Sequence, residues 1–566
     1  MKLGGITIAS SLIACTLASQ AHAGGLFLPG SGATSTSRAG AAVASTDDGE
    51  AISINPAGLA KSKGTTLTIS LAFIRYFMEF TRRGSYDASS NPDFQPAYTG
   101  DTYATVENDP EPPLGIGKFQ PIPVIALSTD FRGIPNLRAA IGLYAPSGYP
   151  FRNMTQGYKF PTFAEPGNLN AAPPPTRYDT MRAESRALLP SIAASYRITP
   201  DLDIGARFTA GNLQSKQQLV VWGTPNNVEE RVVEDSLFDV EIKDGFIPAF
   251  GIGVAYRVTP QLEIAANYSS AIVVKAKGEA SSQKGPDVDQ SRVVGPVPDA
   301  DSRCEVGGTM EKQKACISLQ LPQTATIGAR YIFPGANDQI AGDVELDVAW
   351  ENWGKKCERQ GEDDPEPGAF KDPECTSPGE FRVLVDGGLY VNGVYDPTQR
   401  LHQSINNYNL KDVFSVRLGG SYHVPLGSDS DWENPKRVIL RGGVAYDTQA
   451  ANDGWFRAAM DGASRITMTL GAAYQTKKWR LSVGGGFVHE GTNTNEGAND
   501  DGSDCNPNLM TLACNGSNAS RPLDQRKGPD PSNPLIDPAF QAENPYNQGS
   551  IKSHYILFML GYTTWF

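Results

Sequence analysis

The amino-acid sequence predicts an all-β protein: a 14-stranded antiparallel transmembrane β-barrel with an N-terminal hatch in its lumen and long extracellular loops. Three observations predict this fold. Fourteen segments alternate apolar and polar residues, as strands with one lipid-facing side do. Short and long connections alternate between these segments, which is the turn and loop asymmetry of an outer-membrane barrel. The chain also begins with an export signal.

Composition excludes several other classes of protein. The 566-residue chain carries a formal net charge of −13, with 40% hydrophobic and 20% charged residues. These proportions fit neither a disordered nor a collagenous chain. The acidic balance argues against a nucleic-acid surface, because phosphate contacts need clustered Lys and Arg. After the N-terminus no segment holds eighteen consecutive apolar residues, which excludes a helical membrane protein.

Residues 1–23 are predicted to be a signal peptide. Lys2 supplies a positive start, residues 3–14 an apolar stretch, and the Ala-His-Ala sequence at 21–23 a small-residue cleavage site. The stretch ending at Cys15 also resembles a lipoprotein box, which would instead tether the chain through a lipid on that cysteine. The Ala-His-Ala site favours the later cut, and the mature protein is expected in the outer membrane of a Gram-negative bacterium.

Residues 24–64 are predicted to form a hatch that plugs the barrel. This segment is rich in Gly, Ala and Ser and lacks a strand pattern long enough to cross a membrane. Both termini of an even-stranded barrel face the periplasm, so the segment starts at the correct end to fold inward. A fourteen-strand bore lies between the filled eight-strand and the open sixteen-strand cases, and an unplugged one would leak solutes. A disordered periplasmic tail is the alternative.

Residues 65–566 are predicted to form the barrel itself. The predicted strands are 65–80, 122–131, 137–145, 186–198, 202–222, 246–258, 262–277, 321–333, 340–353, 411–424, 437–448, 464–476, 479–490 and 552–566. Connections after even-numbered strands are mostly short, as at 199–201, 259–261 and 477–478, whereas those after odd-numbered strands run long. The long connections are therefore predicted to be extracellular.

Tyrosines and glycines recur at fixed places in the even-numbered strands. The tyrosines near the strand ends are Tyr196, Tyr256, Tyr331, Tyr422 and Tyr474. They are expected to form an aromatic girdle at the inner membrane interface. Glycines stand three residues before four of them: Gly253, Gly328, Gly419 and Gly471. An odd offset puts the two residue types on opposite faces, so these glycines should face the lumen and leave room for something inside.

Six cysteines of the mature chain fall as three close pairs. The pairs are Cys304 with Cys316, Cys357 with Cys375, and Cys505 with Cys514. All lie in long connections rich in Gly, Pro and Asp. In an oxidising compartment this spacing predicts three local disulfides on the extracellular side. Zinc binding is the weaker alternative, because there is no Cys-x-x-Cys and no neighbouring His cluster; no metal and no cofactor are predicted.

Enzymatic chemistry is not predicted. The mature chain has four histidines, His402, His423, His489 and His554. None lies in a recognisable hydrolase or metalloprotease motif. The pair His489 and Glu490 at the upper end of the thirteenth strand could serve a rim protease, but a solvated rim is favoured, because two titratable neighbours do not make a site.

The segment before the first strand contains Asn55, Pro56 and Ala57. Proline fixes its own φ and pushes Asn55 away from the helical region, while the Asn amide can cap nearby backbone groups. The chain resembles the FadL/TodX (OmpP1) family of outer-membrane transporters of long-chain fatty acids and aromatic hydrocarbons. The resemblance rests on this Asn-Pro-Ala element and on the stretches 321–331, 347–353 and 440–447, which follow it in order along the fourteen predicted strands. The resemblance covers nearly the whole mature chain and is weakest in the long loops.

The resemblance implies a passive uptake channel for hydrophobic compounds. Such a channel captures its ligand in an apolar groove among the extracellular loops, passes it to a pocket at the hatch, and releases it sideways through an opening at a distorted third strand. A hydrophobic solute gains roughly 0.8 kcal/mol per methylene buried, which a water-filled bore cannot exploit. A fatty acid, an alkane or an aromatic hydrocarbon would all suit this architecture.

Candidate residues for these steps come from the hatch and the third strand. Leu26, Phe27 and Leu28 are suited to lining a pocket from the hatch, or are packing contacts against the wall. Gly142, with Pro146 and Gly148 just beyond it, is a candidate for bending the wall, although a simple strand end explains the latter two as well.

The loop after the third strand carries an aromatic cluster that includes Phe151, Tyr158 and Phe160. An exposed apolar cluster in a polar loop suggests a ligand or membrane contact, and self-packing of the loop is the alternative. For a ligand carboxylate, Arg38 in the hatch and Arg441 on the lumen face are candidate partners. Either could instead pair with Asp47, Asp48 or Asp447.

Other partners follow from the membrane setting. Outer-membrane lipid and lipopolysaccharide are expected to surround the barrel, and a monomer is expected. The acidic loop at 500–504 could bridge to lipopolysaccharide through divalent ions, with a solvated loop as the default. A second function remains open: a surface adhesin or receptor whose disulfide-stapled loops bind a partner and whose barrel is only an anchor.

Overall fold

The structure is a computed structural model. It describes residues 27–566 apart from 63, 83–84, 87, 90, 113, 132–133, 135, 149, 222–231, 336–338, 361–369, 373, 402–403, 427–435, 453–456 and 496–548. Several sequence predictions lie outside these residues: the signal peptide with Cys15, Leu26, His402, the acidic loop at 500–504 and the pair Cys505 and Cys514.

Strands dominate the chain, numbered here in chain order. They are β1 Thr66–Arg82, β2 Val106–Glu107, β3 Gln120–Thr129, β4 Leu137–Tyr144, β5 Phe151–Asn153, β6 Arg182–Thr199, β7 Leu202–Val221, β8 Ser236–Arg257, β9 Leu262–Ser269, β10 Ile272–Lys284, β11 Arg292–Pro296, β12 Gln313–Leu321, β13 Thr324–Pro334, β14 Ile340–Glu351, β15 Glu380–Val391, β16 Val394–Arg400, β17 Ser404–Asn407, β18 Val413–Leu426, β19 Lys436–Asp447, β20 Arg465–Gln475, β21 Trp479–Asn495 and β22 Gly549–Trp565.

Helices are short. Two α-helical turns, α1 Ala33–Thr36 and α2 Ala51–Ile54, and a 3₁₀ helix at Pro56–Lys61 precede β1. Further 3₁₀ turns lie in the loops at Pro92–Phe94, Pro166–Asn170, Val232–Glu234 and Asp299–Asp301. Among the described residues, no helix has both the length and the apolarity that crossing a membrane would need.

The sheet closes on itself as a barrel of fourteen antiparallel strands, which confirms the predicted fold class. Around the barrel the order is β1, β3, β4, β6, β7, β8, β9 with β10, β13 with β12, β14, β18, β19, β20, β21 and β22. Strand β22 then pairs with β1 from Trp565↔Thr66 to Gly549↔Arg82. Strands β9 and β10 together make the seventh barrel strand, and β12 and β13 the eighth. Each of the fourteen predicted segments overlaps one barrel strand.

The two faces of the wall follow the predicted alternation. On the sixth barrel strand, β8, Phe250, Ile252 and Tyr256 are exposed on the outside, whereas Gly251 and Ala255 are buried. The girdle tyrosines Tyr196, Tyr256, Tyr331 and Tyr422 are all exposed on the outer surface. Because lipid covers this surface in a membrane, apolar side chains are the ones expected there.

Several strands run further on the extracellular side than predicted. Strand β8 begins at Ser236 rather than at 246, and the cause is a β-bulge at which Gly245 and Phe246 together oppose Asn212 of β7. A bulge inserts one extra residue and so inverts the alternation beyond it. A strand predicted from one uniform period therefore stops at the bulge.

Two of the three predicted disulfides are formed. Cys304 is bonded to Cys316 and Cys357 to Cys375. Both lie at the end of the barrel opposite Thr66 of β1 and Trp565 of β22, on the side of the long connections, as predicted.

Apolar side chains also fill the lumen. The largest buried cluster joins β1 and β22 to the loop after β4, through residues such as Tyr76, Phe80, Tyr555 and Met559. A second cluster packs Ala51, Ile52 and Leu59, which precede β1, against the inner faces of β3, β4 and β6. The core of this protein is therefore inside its barrel.

Candidate functional site

The segment before β1, residues 27–62 (the N-terminal segment), lies against the inner wall of the barrel. Strand β14 places three carboxylates on one face at alternate positions, Asp343, Glu345 and Asp347, because side chains two apart in a strand share a face. All three are buried. The Arg38 guanidinium spans two of them, with Nη1 3.0 Å from Asp343 Oδ1 and Nη2 3.1 Å from Glu345 Oε2.

The same carboxylates also bind the main chain of the N-terminal segment. The N–H groups of Ala42 and Val43 donate to Asp347 Oδ2 at 2.9 and 3.1 Å. The N–H of Ala44 donates to Glu345 Oε1 at 2.6 Å. Hydrogen bonds to ionised groups are roughly twice as strong as neutral ones. Strand β14 therefore holds residues 38–44 through three main-chain hydrogen bonds and the two ion pairs of Arg38, and the bond that Glu345 accepts is charge-assisted.

Asn55 connects the N-terminal segment to the wall. Its Nδ2 donates to the carbonyl of Val43 at 2.8 Å and to that of Val254 in β8 at 3.3 Å, and its Oδ1 accepts from Ala57 N at 3.1 Å. Asn55 has an extended backbone, φ −155°, and Pro56 begins the 3₁₀ helix that follows. The expected capping by the Asn amide is therefore present.

The lumen-facing glycines make room for this segment. A Cβ built on Gly253 would lie 1.9 Å from Asn55 Oδ1, and one built on Gly471 would lie 2.6 Å from Ser37 Cβ. At Gly328 the nearest atoms belong to Asp347 and Val43, and at Gly419 to Arg38 and Ala41. The four glycines singled out in the sequence thus face the lumen, where a larger side chain would displace residues 37–56.

Acidic residues of the N-terminal segment find partners that the sequence did not indicate. Asp48 pairs with Arg480 of β21 rather than with Arg38 or Arg441. Glu50 accepts hydrogen bonds from Thr34 N and Ser35 N, each at 2.9 Å. Burial, with the nearby Asp48 carboxylate, raises the pKa of Glu50 to about 7.

Phe27 and Leu28 are tied to the wall just above the third barrel strand. The main chain of Leu28 exchanges two hydrogen bonds with Ser147, its N donating to the Ser147 carbonyl at 2.6 Å and its carbonyl accepting from Ser147 Oγ at 2.8 Å. The Phe27 ring packs against Trp353 with centroids 6.0 Å apart.

A cavity of about 180 Å³ lies between the N-terminal segment and the wall. Its apolar lining includes Phe27, Leu28, Tyr144, Leu189 and Ile272. Arg207, Asp347, Glu351 and Arg417 supply polar groups to the same cavity. The arrangement suits a small apolar ligand, or part of a larger one, beside a few fixed polar groups.

The third barrel strand is interrupted next to this cavity. Strand β4 pairs regularly on both sides, and Gly142 sits opposite Ala126 and Ser191 with no register shift. Pairing with β6 then stops at Tyr144↔Leu189 and resumes at Phe151↔Glu184 in β5. The interruption therefore lies at residues 145–150, which contain Pro146 and Gly148. Gly142 is not its cause.

Gly142 has a different role. A Cβ at this position would lie 2.7 Å from the Ile125 carbonyl and 3.0 Å from Ile52 Cδ1. The missing side chain lets the N-terminal segment approach β4 closely.

A second interruption separates β8 from β10. Strand β8 pairs with β9 as far as Gly251↔Ser269, followed by one main-chain bond from Ser270 N to the Phe250 carbonyl at 2.9 Å, and it pairs with β10 again, in the same register, from Lys243↔Lys277. Pro248 has no N–H to donate there, and the Asp244 carboxylate accepts from Lys275 N at 2.9 Å. The cavity reaches this gap at Ala249, Ser270 and Ile272. Sequence reasoning missed it, although a proline inside a predicted strand is a signal of disturbed pairing.

A family model described as outer membrane protein transport protein (OMPP1/FadL/TodX) matches residues 174–516, which is more than half of the chain. The chain belongs to the FadL/TodX family. No curated protein matches its sequence at a significant level. As a member of this family it is a transport channel for hydrophobic compounds in the outer membrane of a Gram-negative bacterium, and not an enzyme.

Solved structures of FadL/TodX-family proteins share the fold at low sequence identity. A Pseudomonas aeruginosa FadL homologue is 12% identical, with a TM-score of 0.60 over 95% of this chain and 99% of that one. The toluene transporter TodX of P. putida is 14% identical with a TM-score of 0.52, and the toluene transporter TbuX of Ralstonia pickettii is 13% identical with a TM-score of 0.52; each match covers 95% of this chain and 99% of that one.

The loop aromatics of this FadL/TodX-family chain pack inward. Phe151 and Met154 are fully buried and Phe160 nearly so, all within the large lumen cluster, with Tyr158 partly buried against it. Phe163, in the same loop, is 62% exposed. The loop therefore packs these side chains into the lumen instead of presenting them as an exposed aromatic patch.

The two candidate arginines differ. Arg38 is committed to Asp343 and Glu345, whereas Arg441 is 7% exposed and donates to Ser482 Oγ at 3.4 Å. Within the described ranges, Arg441 has no carboxylate within 4.0 Å. His489 and Glu490 point to opposite faces, exposed and buried respectively. The described residues contain no His, Cys, Asp and Glu cluster able to hold a metal ion.

Proposed function

We propose that this channel takes up small hydrophobic compounds by passive diffusion, with the N-terminal segment as a hatch and the interrupted third barrel strand as a lateral exit. One observation carries the proposal: the cavity of about 180 Å³ is bounded on one side by Phe27 and Leu28 and on the other by residues 144–147 at the wall interruption. A ligand in this cavity is next to both the hatch and the gap.

Cavity size and lining support an apolar ligand. An engineered cavity of about 150 Å³ lined by aliphatic and aromatic side chains holds benzene. Two relatives of known structure, TodX and TbuX, are toluene transporters, and a monoaromatic ring or part of an alkyl chain fits the volume here. Burial contributes roughly 0.8 kcal/mol per methylene, which draws such compounds from water without energy input.

Hatch movement would have to break the contacts of the N-terminal segment. The two hydrogen bonds between Leu28 and Ser147 join the hatch directly to the interruption. Movement of either part would therefore displace the other. A ligand that separates Leu28 from Ser147 would open the route from the cavity to the wall.

The lateral exit can be tested by restoring a strand-forming sequence at the interruption. We expect the double variant Pro146→Val and Gly148→Thr to lower uptake several-fold, because β-branched residues favour continuous pairing beside β6. Uptake of radiolabelled toluene and of a labelled fatty acid would be measured in cells that lack other transporters for them.

The matched control is Pro166→Val with Gly167→Thr in the same loop, where both residues are exposed and a Cβ on Gly167 meets nothing within 4 Å. Equal uptake in the two double variants would exclude the exit at residues 145–150 and leave the gap between β8 and β10 as the remaining route. If cells with the unmodified protein take up no more of either ligand than cells without it, a receptor role would be favoured instead.

For ligands that carry a carboxylate, we propose Arg441 as a partner elsewhere in the lumen, since Arg38 already spans two carboxylates and Arg441 does not line the cavity. Arg441→Gln is expected to reduce uptake of a fatty acid by about tenfold, the order of one hydrogen bond to a charged group, and to leave toluene uptake unchanged. Equal effects on both ligands would contradict this role, because a neutral ligand makes no ion pair.

A further inference from the structure

The barrel wall carries a row of cations on its outer face, at the upper edge of the lipid-facing surface. Arg186 of β6 is opposite Gln214 of β7, Gln214 is opposite Lys243 of β8, and Lys243 is opposite Lys277 of β10. All four are exposed. Successive partners in antiparallel strands have Cβ atoms about 5 Å apart, so Arg186, Gln214, Lys243 and Lys277 (the cationic row) form one line across four strands.

The cationic row is not neutralised by the protein. In the part of the chain that the structure describes, none of its three cations has a carboxylate within 4.0 Å. Lys243 and Lys277 face each other directly, an arrangement that is destabilising in a sheet. Such a pair is stable when an anion lies between the two ammonium groups.

In the next row away from the membrane, each cation is paired with a carboxylate. It runs Glu184, Lys216, Glu241, Glu279 and Lys314 across the strands. Lys216 pairs with Glu241 at 3.0 Å and Lys314 with Glu279 at 3.4 Å. Of these two rows, only the cationic row has cations without a carboxylate partner, so unpaired cations are not a general property of the outer face of these strands.

Apolar residues lie directly below the cationic row on the same outer face. Leu188 of β6 and Phe246 of β8 are exposed by 38% and 62%. Below them come Ile192, Phe208 and Phe250, also exposed. The cationic row thus marks the change from the lipid-facing surface to the aqueous one, and its four residues line an open groove of about 1270 Å³ that continues upward along the strands.

We propose that Arg186, Lys243 and Lys277 bind the phosphate groups of lipopolysaccharide in the outer leaflet. Its acyl chains lie beside the apolar belt and its phosphates at the level where that belt ends. Arginine binds a phosphate through paired N–H donors and lysine as a compact charge, and the Gln214 amide adds a further donor. With a net charge of −13 on the whole chain, lipopolysaccharide is held by this local row and not by the overall charge.

The test compares two double variants of the full-length protein. In Lys243→Gln with Lys277→Gln, we expect the lipopolysaccharide retained through purification, and the affinity for added lipopolysaccharide, to fall about tenfold, the order of losing one charged hydrogen bond. The control, Lys477→Gln with Lys478→Gln, removes the same charge from an exposed turn at the opposite end of the barrel. Native mass spectrometry measures the bound lipid, and heat-modified gel mobility checks that both barrels are folded.

Separate arms distinguish the source of the phosphate. Inorganic phosphate and phosphatidylglycerol vesicles are expected to bind both variants equally weakly, because inorganic phosphate has no acyl chains to lie beside the apolar belt and phosphatidylglycerol carries only one phosphate to place against a row of three cations. Equal retention of lipopolysaccharide by the two variants would overturn the proposal. A loss that is the same for phosphatidylglycerol vesicles as for lipopolysaccharide would also overturn it, since the row would then attract any anionic surface.

Discussion

Replacing Gly253 with valine is expected to displace the N-terminal segment from the wall and to raise ion conductance through the barrel. A Cβ at this position would lie 1.9 Å from Asn55 Oδ1 and 3.1 Å from Pro56 Cδ. Neither the Asn55 side chain nor the backbone of β8 can easily move away. Asn55 is hydrogen-bonded to Val43, Ala57 and Val254, and β8 is paired with a strand on both sides at Gly253. Overpacking alone costs about 1–3 kcal/mol, to which the lost Asn55 hydrogen bonds add.

Planar-bilayer recordings would measure the conductance, and limited proteolysis would detect release of residues near Asn55. The control is Gly485→Val, where a Cβ would meet only the Leu557 carbonyl, at 3.6 Å. If Gly253→Val conducts like the control and resists proteolysis equally, the N-terminal segment does not seal the lumen.

Much of the barrel could be predicted from the sequence because lipid imposes one rule on every strand. The outward positions within the membrane must be apolar, so Phe250, Ile252 and Tyr256 reveal both the strand and its faces. Above the membrane this rule no longer applies. There the outer face carries Glu241 and Lys243, and the bulge opposite Asn212 reverses the alternation, so the upper part of β8 was not predicted.

The candidate site was predicted only where it depends on local sequence. The cap formed by Asn55 before Pro56 follows from neighbouring residues, and the room at Gly253 follows from its offset to Tyr256. The contacts of Arg38 depend on residues about three hundred positions away in β14, which no local pattern indicates. The inward packing of Phe151 could not be predicted either, because a loop sequence does not show which surface it covers.

Arg38→Ala is expected to weaken the attachment of the N-terminal segment to the barrel wall more than any other single alanine substitution in that segment. Asp343 would keep Arg330, whose Nε is 2.7 Å away, but Glu345 has no other cation within 4.0 Å among the described residues. Leaving one member of a buried pair without its partner costs about 3–5 kcal/mol. The expected result is a lower unfolding temperature in detergent and faster proteolysis of the N-terminal segment.

A double-mutant cycle separates this charge effect from lost packing. Glu345→Gln removes the charge but keeps an amide oxygen that can accept from Ala44 N, as Glu345 Oε1 does at 2.6 Å. In the Arg38→Ala background this second substitution should therefore restore stability, because the uncompensated charge is gone. Additive losses in the double variant would mean that Arg38 stabilises the segment through its packing and its bond to the Ala41 carbonyl, and that the ion pair with β14 contributes little.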